Sequence, residues 1–417
     1  MTSCSSTSQA TAQDGGHADS YRWVVLAVAV AAQTMAALVS QGVYILVPFW
    51  QSGFHLSQAT AGLAVSFMNG GQILSMLLLG MAIDRYGERS VVALTMIAMG
   101  LSAFGAAAFG TSYFLLLLFL TMLGAWYASV QPGGTRAIIR WFPPHMRGFA
   151  TGVRQAGLPL GTAFAAMILP VLALKYGWQS ALYVQGTLGI LGGILFGIFH
   201  RDDYGHVATP SAALTLRQLI SQLAQNKNFL SVLLAGVAMA TFQYTFSAHV
   251  LSFLSRHLQI QIVLAAFIFA VAQGVGIVGR VALAGISDKL WPGKRMRSLI
   301  SLMLICALVV GILMGLPVNP PLWLMYALFA LLGMAGIGWY PLWLLQIAEM
   351  APKNAVASTV SFAMTVNLLA ITLMPPVFGL VVDLVNYNAA WSVLVTILLL
   401  SAWQLRRNTP SASQQVN

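Results

Sequence analysis

The chain predicts an all-α membrane protein of twelve transmembrane helices in two pseudo-symmetric six-helix bundles. Composition is the first ground: 59% of the 417 residues are hydrophobic and 7% charged, and the mean hydropathy is +0.81. Such a chain cannot put a polar skin around an apolar core, so its solvent is lipid. The second ground is length, since apolar runs of roughly 20 residues, enough to cross a hydrocarbon layer of about 30 Å, recur about twelve times. The third is an internal echo: Gly80-Met-Ala-Ile-Asp84-Arg85-Tyr-Gly87-Glu88-Arg89 returns as Ala284-Gly285-Ile-Ser-Asp288-Lys289, followed by Gly293-Lys294-Arg295. An acidic-basic turn in matching places of two hydrophobic halves is the mark of an internal duplication.

In order, the predicted spans are 22–49, 57–83, 90–109, 113–141, 148–174 and 178–199, then 229–254, 260–287, 297–315, 321–349, 354–383 and 389–405. Helices are indicated because strands of a membrane barrel are short and alternate in polarity, whereas these runs are long and apolar on all sides. The domains implied are a tail at 1–21, a bundle at 22–200, a linker at 201–228, a second bundle at 229–405 and a tail at 406–417. The first tail, rich in Ser, Thr, Gln and Gly, is expected to be disordered. No short apolar segment with a small-residue cleavage site precedes the first span, which is expected to act as an uncleaved signal anchor. Within the linker, Leu216, Leu219, Ile220 and Leu223 share one face of a helix that could lie along the inner leaflet, and a plain tether is an equal alternative.

Basic residues orient the chain. With the amino terminus inside, Arg22, Arg85, Arg89, Arg140, Arg147, Arg201, Arg217, Lys227, Lys289, Lys294, Arg295, Arg297, Lys353, Arg406 and Arg407 all fall at cytoplasmic ends or loops, leaving Lys175 and Arg256 outside. Both termini are then cytoplasmic, in a multi-pass protein of the cytoplasmic (inner) membrane. The same bias explains the net charge of +11 without a nucleic-acid partner, because the arginines are scattered through short turns rather than gathered in a patch. Cys4 and Cys306 fall in a tail and a span, supporting neither a disulfide nor a metal site.

Three segments make the chain resemble the major facilitator superfamily of secondary transporters over essentially its whole length. They are the Gly80…Asp84-Arg85…Gly87…Arg89 turn, its weaker copy around Gly285 and Asp288, and Trp141-Phe-Pro-Pro-His-Met-Arg147-Gly148-Phe-Ala150-Thr-Gly152, the last similar to a pattern of organic-anion carriers in that superfamily. Glu88 departs from the signature, standing where a basic residue is usual. The resemblance implies that Gly80, Asp84, Arg85, Gly87, Arg89 and Asp288 form gating turns, the first of which meets the start of span eleven near Asn354–Ser358. Physically, a carboxylate at a helix end can accept hydrogen bonds from a neighbouring helix's amino terminus or pair with an arginine, while glycine permits the tight reversal. Matching Pro143 to Pro352 sets Glu349 opposite Arg140, an expected second latch.

Arg136, Arg154 and Arg280 lie deeper, roughly 8, 10 and 12 Å from the ends of their helices at 1.5 Å per residue. A charge at such depth costs at least about 2.5–3.5 kcal/mol unless it meets a cavity or a partner. None of the nine acidic residues sits near a midplane, so an anionic ligand is expected to supply the missing charge, gripped by a forked guanidinium. Arg280 leads, because the offset of 204 positions between Asp84 and Asp288 puts apolar Met76 at its counterpart. Snorkelling to the inner surface and pairing with helix carbonyls are the blander readings.

In the superfamily, spans one, four, seven and ten line the central cavity; here they carry Gln33, Gln41, Tyr44, Tyr127, Gln131, Gln243, Tyr244, His249, Trp339 and Tyr340. The expected substrate contacts are therefore Arg280, Arg154, Arg136, Tyr244, Gln243, Tyr44, Trp339 and Tyr340. His249 is the candidate for proton coupling, with a structural, hydrogen-bonded histidine as the alternative. These residues predict alternating-access transport of a small organic anion, of monocarboxylate or aromatic-acid type, by proton symport or anion exchange. The partners expected are that anion, a proton or counter-anion and membrane lipid, with the protein a monomer and no cofactor or metal. The alternative is efflux of drugs or metabolites by a carrier of the same superfamily. An enzyme is not expected, since no nucleotide-binding Gly-rich Lys motif, metal-spaced cluster or nucleophile-base pair is present.

Overall fold

A computed structural model describes residues 7–201, 221–223, 226–290, 295–351 and 356–408. Leu216, Leu219 and Ile220 of the linker lie outside the described residues. So do the side chains of the gating residues Asp84, Arg85 and Asp288 and of Asn354–Ser358.

The described residues are helical with no strand. The first half contains α1 (Thr7–Gly53), α2 (Gln58–Tyr86), α3 (Glu88–Phe109), α4 (Tyr113–Tyr127), α5 (Val130–Trp141), α6 (Pro144–Tyr176) and α7 (Trp178–Phe199). The second contains α8 (Lys227–Ser252) with a π-helical turn at Phe253–His257, α9 (Ile262–Leu290), α10 (Arg295–Met314), α11 (Leu322–Leu332) with a π-helical turn at Gly333–Ile337, α12 (Tyr340–Met350), α13 (Val356–Leu384) and α14 (Tyr387–Asn408). Pairing α4 with α5 and α11 with α12 gives the twelve spans. Eleven are long and apolar enough to cross a membrane among the described residues; α2, which carries Ser66, Asn69, Gln72 and Ser75, is the twelfth. Large apolar side chains such as Leu74, Phe114, Trp323 and Leu384 are more than 70% exposed, which only a lipid surround makes favourable.

Helix α1 is continuous over Thr7–Gly53, and one expectation requires correction. Spans four and ten are each interrupted, at Ala128–Ser129 and at the Gly333–Ile337 π-turn. The apolar run continues through the second interruption, so hydropathy alone does not see it, whereas the first opens onto the polar, glycine-containing stretch Gln131-Pro-Gly-Gly-Thr-Arg136. The π-turn follows Gly333-Met-Ala-Gly336-Ile-Gly338, where small residues let the chain approach its neighbours: a Cβ on Gly333 would stand 2.2 Å from the Ala272 carbonyl oxygen.

Within the first half α2 packs on α4, α3 on α7 and α1 on α6, and the halves meet where α1 faces α8, α2 faces α13 and α6 faces α9. The reversals after α2 and α6 are near copies at opposite ends of the bundle. Tyr86-Gly87 and Tyr176-Gly177 both place glycine at φ near +85° (85° and 83°), a conformation that costs other residues steric strain.

The halves are latched at the end remote from the Asp84 turn. There Asp383, at the last turn of α13, accepts the Gln58 N–H through Oδ1 (2.8 Å) and the Ala59 N–H through Oδ2 (2.7 Å), completing the open amino terminus of α2 across the two halves. Gln58 Nε2 donates to the Tyr387 hydroxyl at 2.8 Å and to Gln51 at 3.1 Å, and Arg256 donates to Ser52 at 3.1 Å. Gly62 sits against the Pro375–Pro376 backbone and Gly379 against Gln58, each too close for a Cβ.

Candidate functional site

Between the halves lies a cavity of ≈ 130 Å³ with walls from both. Helix α2 contributes Asn69 and Gln72, α5 Gln131, α6 Gln155, α8 Gln243 and Tyr244. Trp339 and Tyr340 come from the start of α12, and apolar Leu368 and Ile371 from α13. Among the described residues of its lining, Arg280 is the one charged side chain.

Arg280 reaches the cavity from α9 with its stem buried. Its Nε donates to the Ile337 carbonyl at 3.2 Å, an acceptor at the end of the π-turn. Its Nη1 donates to the Gln155 carbonyl of the other half at 3.3 Å, and the guanidinium lies over the Tyr340 ring at 5.6 Å. Two carbonyls and a ring face orient the charge without neutralising it.

Arg154 is placed differently. It is 1% exposed and does not line the cavity. Its Nη1 donates to Gln33 Oε1 at 2.8 Å, and its Nη2 to Gln131 Oε1 and the Thr135 hydroxyl, both at 3.2 Å. Gln131 and Thr135 are one helical turn apart and so share a face of α5. Gly134 makes room between them, since a Cβ there would stand 2.7 Å from Arg154 Nη1. The arginine thus sits one layer behind the wall, with Gln131 in front of it.

The remaining sequence-predicted residues divide similarly. Tyr244, Gln243, Trp339 and Tyr340 line the cavity as expected, and Trp339 Nε1 donates to Gln243 Oε1 at 2.8 Å. Tyr44 stands behind Asn69, whose Nδ2 donates to its hydroxyl at 3.0 Å. Arg136 is not in the lining: its Nη1 donates to the Ile83 carbonyl at 2.6 Å and its Nε pairs with Glu88 Oε2 at 3.3 Å. Arg140 faces that same carboxylate at 3.6 Å, as does His200. The expected Arg140–Glu349 pair is therefore not formed, and Glu349 pairs instead with Arg295. Buried His249 bonds the Pro375 carbonyl inside α13 at 2.8 Å and packs on Phe378, and it is not among the residues that line the cavity. Among the gating residues with described positions, Gly87 makes the α2–α3 reversal, Gly80 lies within α2, and Arg89 Nε donates to the Gly197 carbonyl at 2.6 Å. Among the described residues, no group of His, Cys, Asp and Glu is arranged to hold a metal.

Sequence reasoning missed Asn69, Gln72, Gln155 and Asn367, which line the cavity from spans two, five and eleven. Their signal was available, since an amide in the middle of an apolar span is costly unless it faces something polar.

The cavity between two six-helix halves matches what known proteins show. The Major Facilitator Superfamily model matches residues 29–375. The chain belongs to that superfamily. An uncharacterized MFS-type transporter of Mycobacterium tuberculosis is 26% identical over 278 residues, 66% of this chain and 60% of that protein. A hexuronate transporter of Bacillus subtilis is 25% identical over 38% of this chain and 37% of its own length. A probable sulfoacetate transporter of Cupriavidus necator is 24% identical over 44% and 42%. The matches thus span less than two thirds of these relatives. Among solved structures, a bacterial homologue of the human lysosomal transporter Spinster, inward-facing and unoccupied, superposes with a TM-score of 0.74 at 16% identity, covering 94% of this chain and 99% of that one. A nucleoside transporter gives 0.74 at 14% identity. The fold is that of the major facilitators, a multi-pass membrane protein of transporter architecture.

Proposed function

We propose that this protein is a secondary active transporter that carries a small organic anion through alternating access, with Arg280 as the charge partner of its carboxylate. The observation that carries the reading is a single oriented cation in a central, largely apolar cavity whose described lining contains no carboxylate. A guanidinium there offers an anion a two-pronged grip. The hexuronate transporter and the probable sulfoacetate transporter among the relatives support the sign of the charge. The cavity's tyrosines and its apolar α13 wall favour a small carboxylate with a compact body, of monocarboxylate or aromatic-acid type. The chain sits in the cytoplasmic membrane with both termini inside, by the bias of its basic residues, and couples to a proton or a counter-anion. Asp383 closes the outer end, and the Asp84 turn with the start of α13 closes the inner end in the alternate state. Efflux of cationic compounds is the weaker reading, since a cation would meet Arg280.

A thermal-shift screen of purified protein with benzoate, lactate, glucuronate and cationic drugs tests this directly. Stabilisation by a carboxylate in wild type that vanishes in Arg280→Ala is the expected result. Stabilisation by cations alone, undiminished in Arg280→Ala, would overturn the reading.

A further inference from the structure

Amide side chains are two-faced, carrying one acceptor end and one donor end, so a glutamine in a binding site discriminates charge only when something decides which end it shows. Two cavity glutamines have that decision made for them. Gln131 Oε1 receives Arg154 Nη2 at 3.2 Å, and Gln243 Oε1 receives Trp339 Nε1 at 2.8 Å. Guanidinium and indole N–H groups donate and never accept. The atom facing each of them must therefore be the amide oxygen, which fixes the NH2 group of each glutamine on the opposite side. Gln131 is secured further by Gln155, whose Nε2 lies 3.5 Å from the same oxygen. Asn69 lacks such a constraint, because its Tyr44 hydroxyl partner can donate or accept.

We infer that Arg154 and Trp339 are positioning residues that lock Gln131 and Gln243 as donors, so that the cavity presents Arg280 and two fixed amide donors to one anionic ligand. This rests on the anion-carrier reading and adds its selectivity: the site disfavours the uncharged amide of its own substrate, because that amide gives up its charge pairing with Arg280 and sets N–H groups against the two fixed NH2 groups. A flipped Gln131 would meet Arg154 with its own NH2, leaving a buried donor facing a donor, and unmade buried bonds are what such selection runs on. The placement also accounts for a fully buried arginine on α6: its charge polarises the glutamine in front of it instead of touching the ligand.

The test compares isosteric pairs, benzoate with benzamide, lactate with lactamide and glucuronate with glucuronamide, by calorimetric affinity on wild type, Trp339→Phe, Arg154→Gln and Arg154→Lys. Trp339→Phe keeps an aromatic ring while removing the donor together with one ring of the indole, and it remains informative if Arg154→Gln does not fold; unfolding temperatures identify any variant that fails. The expected result is a wild-type preference for the anion of at least one pair, reduced about tenfold in Trp339→Phe and Arg154→Gln and partly restored in Arg154→Lys, the scale of one buried hydrogen bond to a charged group. If wild type prefers no anion, the carrier reading falls and this falls with it. If wild type prefers the anion and folded Trp339→Phe keeps the same preference, the donor lock alone is wrong.

Discussion

Glu88 has the side chain that most changes the picture drawn from sequence. In the superfamily signature its position is usually basic, and here the carboxylate is fully buried between Arg136, Arg140 and His200. The charge partner that Arg136 needed at depth is thus a carboxylate at the start of α3, brought to it by the Gly87 reversal. Linear distance hid this, since Glu88 and Arg136 lie on different helices and only the fold puts them at 3.3 Å. Replacing Glu88 with Gln leaves two guanidiniums facing each other. The expected cost is about 2 kcal/mol, below the ~3–5 of a fully buried pair because both arginines keep about a fifth of their surface. The check is the unfolding temperature in detergent, and an unchanged value would show the cluster to be energetically idle. Arg280 was legible because the internal repeat left Met76 at its counterpart. The division of labour between Arg154 and Gln131 was not, because it depends on which atom of an amide faces which neighbour.

At the scale of elements, the helices were legible from apolar length and their interruptions were not. The π-turn at Gly333–Ile337 lies within a continuous apolar stretch and the break after Tyr127 just ahead of Gln131-Pro-Gly-Gly, and both fall where α4–α5 and α11–α12 wall the cavity. Close helix contacts enforce this geometry. A Cβ on Gly124 would lie 1.8 Å from the Met68 carbonyl oxygen, next to Asn69 of the cavity wall. Gly124→Ala is therefore expected to push α2 from α4, lowering stability by about 1–3 kcal/mol, measurable as a lower unfolding temperature. The Asp383 latch was also invisible, since nothing in a sequence says that a carboxylate at the end of one helix will cap the start of another more than 300 residues away. Loss of its two charge-assisted bonds in Asp383→Ala should loosen that end. Cysteine placed at Ser66, which bonds the Thr372 carbonyl across the same seam, should then react faster with a membrane-impermeant maleimide. Cys306 is fully buried, and Cys4 is changed to Ser in both proteins so that only the introduced cysteine is read. Equal labelling rates with and without Asp383 would remove the latch from the gating scheme.

For the whole molecule, the duplicated halves explain why one cavity forms between them and why its walls are unequal. The first half supplies most of the amides, the second the cation and the apolar wall. That asymmetry within a symmetric frame is where substrate chemistry resides, and the family resemblance, shared by carriers of many compounds, does not reach it. In the proposed transport cycle Arg280 pairs with an organic anion as it crosses the membrane. The most direct measurement is counterflow of labelled glucuronate and benzoate in proteoliposomes of wild type and Arg280→Ala, with labelled tetraphenylphosphonium as the cationic control. Accumulation of a labelled anion by wild type, reduced at least about tenfold in Arg280→Ala as expected for loss of charge-assisted hydrogen bonds, is the result predicted. Accumulation of the cation alone, equal in both proteins, would contradict it.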